Sequence, residues 1–188
     1  PMEDEHQCKE TNIYRKVLAA CQIEEISDPF LFMNDDHFFN ADFDADTFPN
    51  YTKGLLWQLV KKLKTQGYKT FVGRTMNVLQ TKGHTSYHFD IHTPILYDKM
   101  KFIAAMAQYD WTNKYGYVVK SLYANTIGLQ GEKAKDCKIN LKNSTVEYFR
   151  DMLAGSQIFS IDSGIPPVPC QQVFEELYPT PSRWERTP

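Results

Sequence analysis

The sequence lacks both a long apolar run and an excess of basic residues, and each absence argues against a broad class of protein. No run of about 18 apolar residues occurs, so the sequence predicts no membrane-spanning helix. Lysine and arginine number 21 against 23 aspartate and glutamate, and this balance does not favour a non-specific nucleic-acid binder. The first residues do not have the pattern of a signal peptide, so we expect a cytoplasmic protein.

Cysteine and the common phosphate-binding motifs are also scarce. The four cysteines form no C-x-x-C pair, which does not favour a zinc knuckle and is typical of thiols in a reducing compartment. There is no P-loop, no G-x-G-x-x-G fingerprint and no G-x-S-x-G nucleophile elbow.

What the sequence does contain is a composition that can form a core, with helices and strands in alternation. Hydrophobic residues make up 42% of the 188 residues, and this length favours one domain covering 1–188. Apolar spacing predicts helices at about 10–24, 53–67, 69–82, 98–110, 115–127, 145–155 and 169–179. Strands are predicted at 30–34, 87–92, 137–141 and 157–162. The alternation predicts an α/β domain built around a mixed sheet.

Two adjacent carboxylates, Asp35 and Asp36, follow the apolar strand FLFMN. A turn or helix cap after the strand is one interpretation, although a single Asp would suffice for it. The other is a cation site, because neighbouring carboxylates repel each other unless a cation compensates, and hard oxygen ligands suit Mg²⁺ or Mn²⁺. The residues leave both interpretations open.

A second group of polar residues occurs in an alternating stretch, YHFDIH (87–92). In a strand, His88, Asp90 and His92 would share one face, opposite a phenylalanine and an isoleucine. The pattern is typical of any half-exposed strand, or of a metal or phosphate site completed by His92. Asp90 could instead fix the tautomer of a neighbouring imidazole. Because ligands of α/β sheets gather at strand ends, we expect these residues, the acidic pair and Asp162 to converge.

Several segments together resemble nucleotide-sugar transferases, in particular the Stealth group of sugar-phosphate transferases and related bacterial and phage glycosyltransferase-like proteins. The helix leading into FLFMNDDHFF, the step His92-Thr-Pro94, the segment IFSIDSG (158–164) and LYPTPSRWE (177–185) carry this resemblance in order. They span nearly the whole chain.

The resemblance implies a GT-A-like fold, a mixed sheet flanked by helices. It also implies a nucleotide-sugar donor, UDP-linked in our reading, and a divalent metal, Mn²⁺ or Mg²⁺. Asp35, Asp36 and His92 match positions that handle the metal and the donor diphosphate, with Asp36 and His92 as metal ligands. Asp162 matches a late acidic position, and Asp90 and Asp162 are the two candidates for the catalytic base.

The sequence departs from that group in two ways. An arginine expected some 30 residues after the histidine is missing from KSLYANTIG (120–128), which favours glycosyl transfer over transfer of a phosphorylated sugar. Only about nine residues precede the first helix, where the group has a strand–helix unit. We therefore expect either that the first strands lie outside this sequence or that part of the donor site has been lost.

The sequence thus predicts a metal-dependent glycosyltransferase that moves a sugar to a hydroxyl acceptor, a glycan or a modified DNA base. In a phage-encoded protein it would act in the host cytoplasm. A Stealth-like sugar-phosphate transferase is one alternative, and Arg74 or Arg150 near His92 would favour it. The other is a non-catalytic module that binds a carbohydrate or a partner.

Overall fold

In the computed structural model, the described residues are 3–4, 7–112, 114–136, 138–140, 145–162 and 168–180, and the side chains of 168–170 are left aside. The helices in this part of the chain are α1 (Lys9–Ala20), α2 (Leu56–Lys62), α3 (Gln66–Thr81), α4 (Lys99–Met106), α5 (Val119–Thr126), α6 (Val146–Leu153) and α7 (Val168–Leu177). The strands are β1 (Phe30–Phe32), β2 (His37–Phe39), β3 (Tyr51–Thr52), β4 (Ile95–Tyr97), β5 (Glu132–Lys133), β6 (Lys138–Ile139) and β7 (Ile158–Ile161).

The strands form three small sheets. β1 pairs with β4 antiparallel, β3 pairs with β5 parallel, and β7 lies between β2, its antiparallel neighbour, and β6, its parallel neighbour. The helices together with these small sheets confirm the predicted α/β class, although the described strands form three separate sheets and not one mixed sheet.

The chain divides into two compact units, whereas the sequence predicts one domain over 1–188. Unit 1 comprises Pro1–Phe32 and Asp44–Lys135, and unit 2 comprises Met33–Phe43 and Asp136–Pro188. Each unit therefore takes two separate stretches of the chain.

Unit 1 has a core of helices packed around β4. Val72 and Leu79 lie seven residues apart on α3, so both face the same side of the helix, and both are fully buried. They pack with Tyr97 of β4, Phe102 of α4 and Leu122 of α5, which are equally buried. Burying each such side chain contributes about 1.5–3 kcal/mol, so this cluster holds the helices of unit 1 together.

Unit 2 has a smaller core on one face of its three-stranded sheet. Phe159 and Ile139 point from β7 and β6 to the side on which Phe149 and Leu153 of α6 and Val173 of α7 are buried. Because successive side chains of a strand alternate, the opposite face carries His37, Ser160 and Lys138 in one row. This row adjoins the acidic pair, because His37 directly follows Asp36.

The prediction of a strand at 87–92 is wrong. Apart from an isolated bridge between Leu55 and Tyr87, the stretch pairs with no strand among the described residues. The His88 N–H donates to the Gly54 carbonyl at 2.7 Å and the Phe89 N–H donates to Ser121 Oγ at 3.0 Å. A loop and a helix side chain thus satisfy the backbone groups that a sheet ladder would have used.

The predicted helix end at Gly67 is also wrong. α2 already ends at Lys62, and Gly67 lies in the first turn of α3. Gly83, by contrast, follows α3 with φ of +76°, a conformation that glycine adopts without strain, as the sequence predicts.

Candidate functional site

The acidic pair lies in a tight turn between β1 and β2. The His37 N–H donates to the Asn34 carbonyl at 3.3 Å, so Asp35 and Asp36 occupy the two central positions of the turn. Asp35 is exposed, while the Asp36 side chain is 27% exposed. The turn separates the two carboxylates, one toward solvent and one toward the protein.

Asp36 has two cationic or potentially cationic neighbours, yet one of its oxygens has no hydrogen bond. Its Oδ2 lies 3.7 Å from Lys138 Nζ, and its Oδ1 lies 3.7 Å from His37 Nε2. Both distances exceed that of a hydrogen bond, and Oδ1 is buried without a hydrogen-bond partner in the described part of the chain. A buried carboxylate oxygen left in this state is costly, so the position is suited to an additional ligand.

The backbone of Asp162 lies beside that of the acidic turn. β2 and β7 run antiparallel, so Asp36, just before β2, lies beside the residues that end β7. The Ile161 N–H donates to the Asp36 carbonyl at 3.2 Å, and the Asp162 N–H donates to the Ile139 carbonyl at 3.0 Å. The backbones of Asp36 and Asp162 therefore lie side by side at one end of the unit 2 sheet, and Asp35 directly precedes Asp36 in the turn.

Ser160 is a neighbour of this group that sequence reasoning missed. It pairs with His37 on one side and with Lys138 on the other. Its side chain is fully buried, and its Oγ makes no hydrogen bond to any described residue. The only sequence signal was its place one residue from the end of an apolar strand, which is also typical of an ordinary turn.

In unit 1, Asp90 belongs to a hydrogen-bonded group that includes Tyr68. The Tyr68 hydroxyl donates a short hydrogen bond to Asp90 Oδ2 and lies 3.5 Å from His88 Nε2. His88 is buried and is therefore not on a half-exposed strand face. Because phenol and imidazole both exchange protons readily, Asp90 lies in surroundings suited to acid–base chemistry.

Glu10 adds a second carboxylate to this group, and nothing in its local sequence indicated it. Burial, and after it the charge of neighbouring Asp90, raises the pKa of Glu10 from an ordinary 4.5 to about 7. A hydrogen bond from the Val119 N–H, with nearby Lys9 and Lys120, opposes that shift. Glu10 thus accepts a hydrogen bond from the first residue of α5, Val119. Its pKa of about 7 lies in the range in which general acids and bases work.

Lys120 supplies a cation beside His92. It is buried, and its Nζ donates to the carbonyls of Ile91 at 3.1 Å and of Thr93 at 2.9 Å, the two residues that flank His92. His92 itself is half-buried. The segment KSLYANTIG lacks the expected arginine but still supplies a cation, because its Lys120 contacts the His-Thr-Pro step.

The two arginines considered from the sequence have other partners. Arg74 donates to the Gly116 carbonyl at 3.4 Å and lies over the rings of Tyr115 and Tyr117. Arg150 pairs with Glu176 at 2.8 Å on the surface of unit 2. Their described contacts do not include His92.

The predicted metal ligands Asp36 and His92 fall in different units, and their shared role stays a prediction. Across the described residues, no three histidine, cysteine or acidic side chains are grouped so as to hold a metal. Of the three tryptophans of the chain, Trp111 stacks on Tyr14 with 4.0 Å between the ring centroids, and Trp57 is exposed. Trp184 lies outside the described residues.

A surface depression of about 450 Å³ lies at the other end of β2, lined by Phe39, Asn40, Ala41, Asp42, Phe43 and Leu177. Phe39 and Phe43 stack there at 3.9 Å. Because Asp36 precedes β2 and the depression follows it, this cavity is separate from the acidic group.

No protein-family model matches the chain, and no curated protein matches it significantly. Among the described helices, none combines the length and the apolar character required to cross a bilayer.

Proposed function

We propose that the protein is a metal-dependent glycosyltransferase that moves a sugar from a nucleotide-sugar donor to a hydroxyl acceptor. The resemblance of four ordered segments to nucleotide-sugar transferases suggests this class, and with it a GT-A-like arrangement. The observation that carries the proposal is the Asp36 carboxylate, whose Oδ1 is buried without a hydrogen bond in the described residues, in a turn whose backbone lies beside that of Asp162.

The acidic group fits a divalent cation that is held mainly by substrate. Mg²⁺ and Mn²⁺ in nucleotide sites are commonly bound by one or two carboxylates, while phosphates and water complete the coordination. A group of three protein ligands is therefore not required, and Asp36, whose Oδ1 has no hydrogen bond in the described residues, would hold the ion together with the donor phosphates. Bound there, the cation would neutralise the charge that develops on the departing diphosphate.

Lys138 would act on the same charge. Its ammonium lies 3.7 Å from Asp36 Oδ2 and is 37% exposed, so it can balance the acidic pair before the donor binds and face an anion afterwards. His37 and Ser160 extend this row of hydrogen-bonding groups across the sheet.

Deprotonation of the acceptor hydroxyl is assigned to a carboxylate, and two positions are available. Asp162 lies in the acidic group of unit 2. Asp90 in unit 1 holds the Tyr68 hydroxyl and neighbours Glu10, whose raised pKa of about 7 would allow it to store or return the proton. Asp90 and Asp162 both stay candidates for this role.

Transfer of a phosphorylated sugar is the second candidate, and Lys120 is the observation that favours it. A phosphorylated sugar brings additional negative charge, which a cation at the His-Thr-Pro step would stabilise. The buried ammonium between the carbonyls of Ile91 and Thr93 is such a cation. Product analysis separates the two reactions, because only this one leaves phosphate on the acceptor.

Calorimetric titration with UDP, with and without Mn²⁺, tests the proposal. We expect Mn²⁺-dependent binding by the wild type and its loss in Asp36→Asn, which keeps the shape of the side chain but removes its charge. Asp151→Asn on the exposed side of α6 is the matched control, because it changes the net charge equally within unit 2.

Equal binding by Asp36→Asn and the control would contradict the role of the acidic pair. Absence of binding by the folded wild type, with UDP and with the other nucleoside diphosphates, would contradict the transferase and leave a carbohydrate- or partner-binding module.

A further inference from the structure

A long acid-free segment crosses unit 1. Between Asp46 and Asp90 lie 43 residues without aspartate or glutamate, and they contain six lysines and one arginine. The whole chain has a net charge of −2, so this segment of +7 leaves −9 on the remainder. Such separation of charge concentrates positive potential on the elements that the segment forms, chiefly α2 and α3.

The exposed part of this positive charge lies at the end of α2. Lys61 and Lys62 lie in its last turn and Lys64 follows it, and all three side chains are exposed. None of the three forms an ion pair within the described residues. Lys61 instead lies over the ring of Trp57, with Nζ 4.7 Å from the ring centroid.

Two exposed aromatic side chains lie at the other end of the helix. Trp57, in its first turn, is 41% exposed. Tyr87 is 37% exposed, and the bridge between Tyr87 and Leu55 fixes it close to the beginning of α2. Indole and phenol rings favour the boundary between an apolar phase and water, because each combines an apolar ring with a polar group.

α2 is anchored from below by the core of unit 1. Leu56 is fully buried, and Leu59, Val60 and Leu63 pack against the same cluster. The helix therefore cannot turn its leucines outward without unpacking the core, and what it offers a partner is its lysines and aromatic rings. The exposed residues here form one basic surface, which consists of Trp57, Lys61, Lys62, Lys64 and Tyr87.

We propose that the basic surface docks unit 1 on anionic phospholipid headgroups. Each lysine near such a surface is attracted to the phosphates, and the rings of Trp57 and Tyr87 enter the headgroup layer beside them. The apolar side of α2 stays in the protein core, so the contact is reversible and does not insert the helix.

A lipid surface fits the basic surface better than a nucleic acid does. One face of the Trp57 ring is occupied by Lys61, which leaves less of it for stacking on bases. The one arginine of the segment, Arg74, is engaged with Gly116 and Tyr117 and is not available for bidentate contacts to bases or phosphates.

Sedimentation with vesicles tests the proposal on the whole chain. The probes are phosphatidylcholine vesicles with and without phosphatidylglycerol, and the variant is Lys61→Gln/Lys62→Gln/Lys64→Gln. At about 1 kcal/mol per lysine near the headgroups, the triple variant is expected to bind anionic vesicles on the order of 100-fold more weakly than the wild type. The matched control, Lys101→Gln/Lys133→Gln/Lys135→Gln, changes the net charge equally at exposed positions outside the segment.

Three results support the proposal together: binding that requires phosphatidylglycerol, weakening by salt, and loss in the first variant but not in the control. A fluorescence blue shift of Trp57 on binding, absent in Trp57→Leu, adds an independent readout. Equal loss in both variants, or no binding of the wild type to anionic vesicles, would overturn it. So would tighter binding of a single-stranded oligonucleotide through the same lysines, which would assign the surface to nucleic acid.

Discussion

Replacing Glu10 by glutamine should make the stability of the protein less dependent on pH. The carboxyl of Glu10 has its pKa raised from 4.5 to about 7 by burial and by the charge of Asp90. A group whose pKa is raised on folding favours the folded state below its unfolded pKa and loses that contribution as the pH rises through the folded value. In the wild type the free energy of unfolding should therefore fall between about pH 4.5 and pH 7.

The size of the effect follows from the shift. A change from 4.5 to about 7 corresponds at most to about 3 kcal/mol, at about 1.4 kcal/mol per pH unit. The amide oxygen of glutamine can still accept the Val119 N–H, so Glu10→Gln should resemble the wild type near pH 4. Near pH 8 it should be more stable than the wild type by up to that amount.

Urea unfolding at a series of pH values measures this difference. Glu147→Gln is an informative control, because the pKa of Glu147 is lowered, first by its backbone hydrogen bond. Its loss should act in the opposite direction, destabilising the protein at neutral pH but not in acid. A stability difference between Glu10→Gln and the wild type that does not change with pH would refute the reasoning.

Three further predictions concern single contacts, each measured by urea unfolding. Lys120→Met should destabilise the protein by about 2–4 kcal/mol, because it leaves two carbonyls without their donor and nearby carboxylates without their cation; a loss below 1 kcal/mol would contradict this. Thr145→Ala should cost about 1 kcal/mol, since its hydroxyl caps α6, whereas Thr145→Ser should not. Gly116→Ala should cost about 1–2 kcal/mol, because φ there is +45° and the added Cβ would lie 2.9 Å from Cys8 Sγ. Gly73 lies in α3, and a Cβ added there meets no atom within 4 Å beyond its own stretch of helix, so Gly73→Ala should be neutral or stabilising by up to about 1 kcal/mol. If Gly73→Ala destabilised the protein more than Gly116→Ala, the steric explanation would be excluded.

The positions of helices and strands followed from the sequence where burial alone decides them. α6 has a Thr cap and a buried phenylalanine and leucine four residues apart, and β7 is apolar except for Ser160, so the apolar pattern located both. The apolar pattern failed at 87–92, because alternation indicates which side chains are buried but not which groups form hydrogen bonds with the backbone. There the partners are Gly54 and Ser121, distant in sequence.

The acidic group could be anticipated because strand ends determine it. Asp36 and Asp162 adjoin two apolar strands, and the pairing of those strands brings them together. Glu10 and Lys120 could not be anticipated in the same way. Glu10 lies in an ordinary helical pattern, and its raised pKa arises from α5 and Asp90, which lie far along the chain. Lys120 resembles any helix lysine until its burial against Ile91 and Thr93 is known.

The way in which unit 2 is assembled has a consequence for biosynthesis. Its strand β2 belongs to residues 33–43, but the partner strand β7 is synthesised about 120 residues later. A ribosome adds about 5–20 residues per second, so β7 is synthesised several seconds or more after the turn with Asp35 and Asp36. During that interval the elements of unit 1 can already pack. Chains released before β7 is synthesised should therefore contain a folded unit 1 and an acidic turn that lacks β7 and Asp162 beside it.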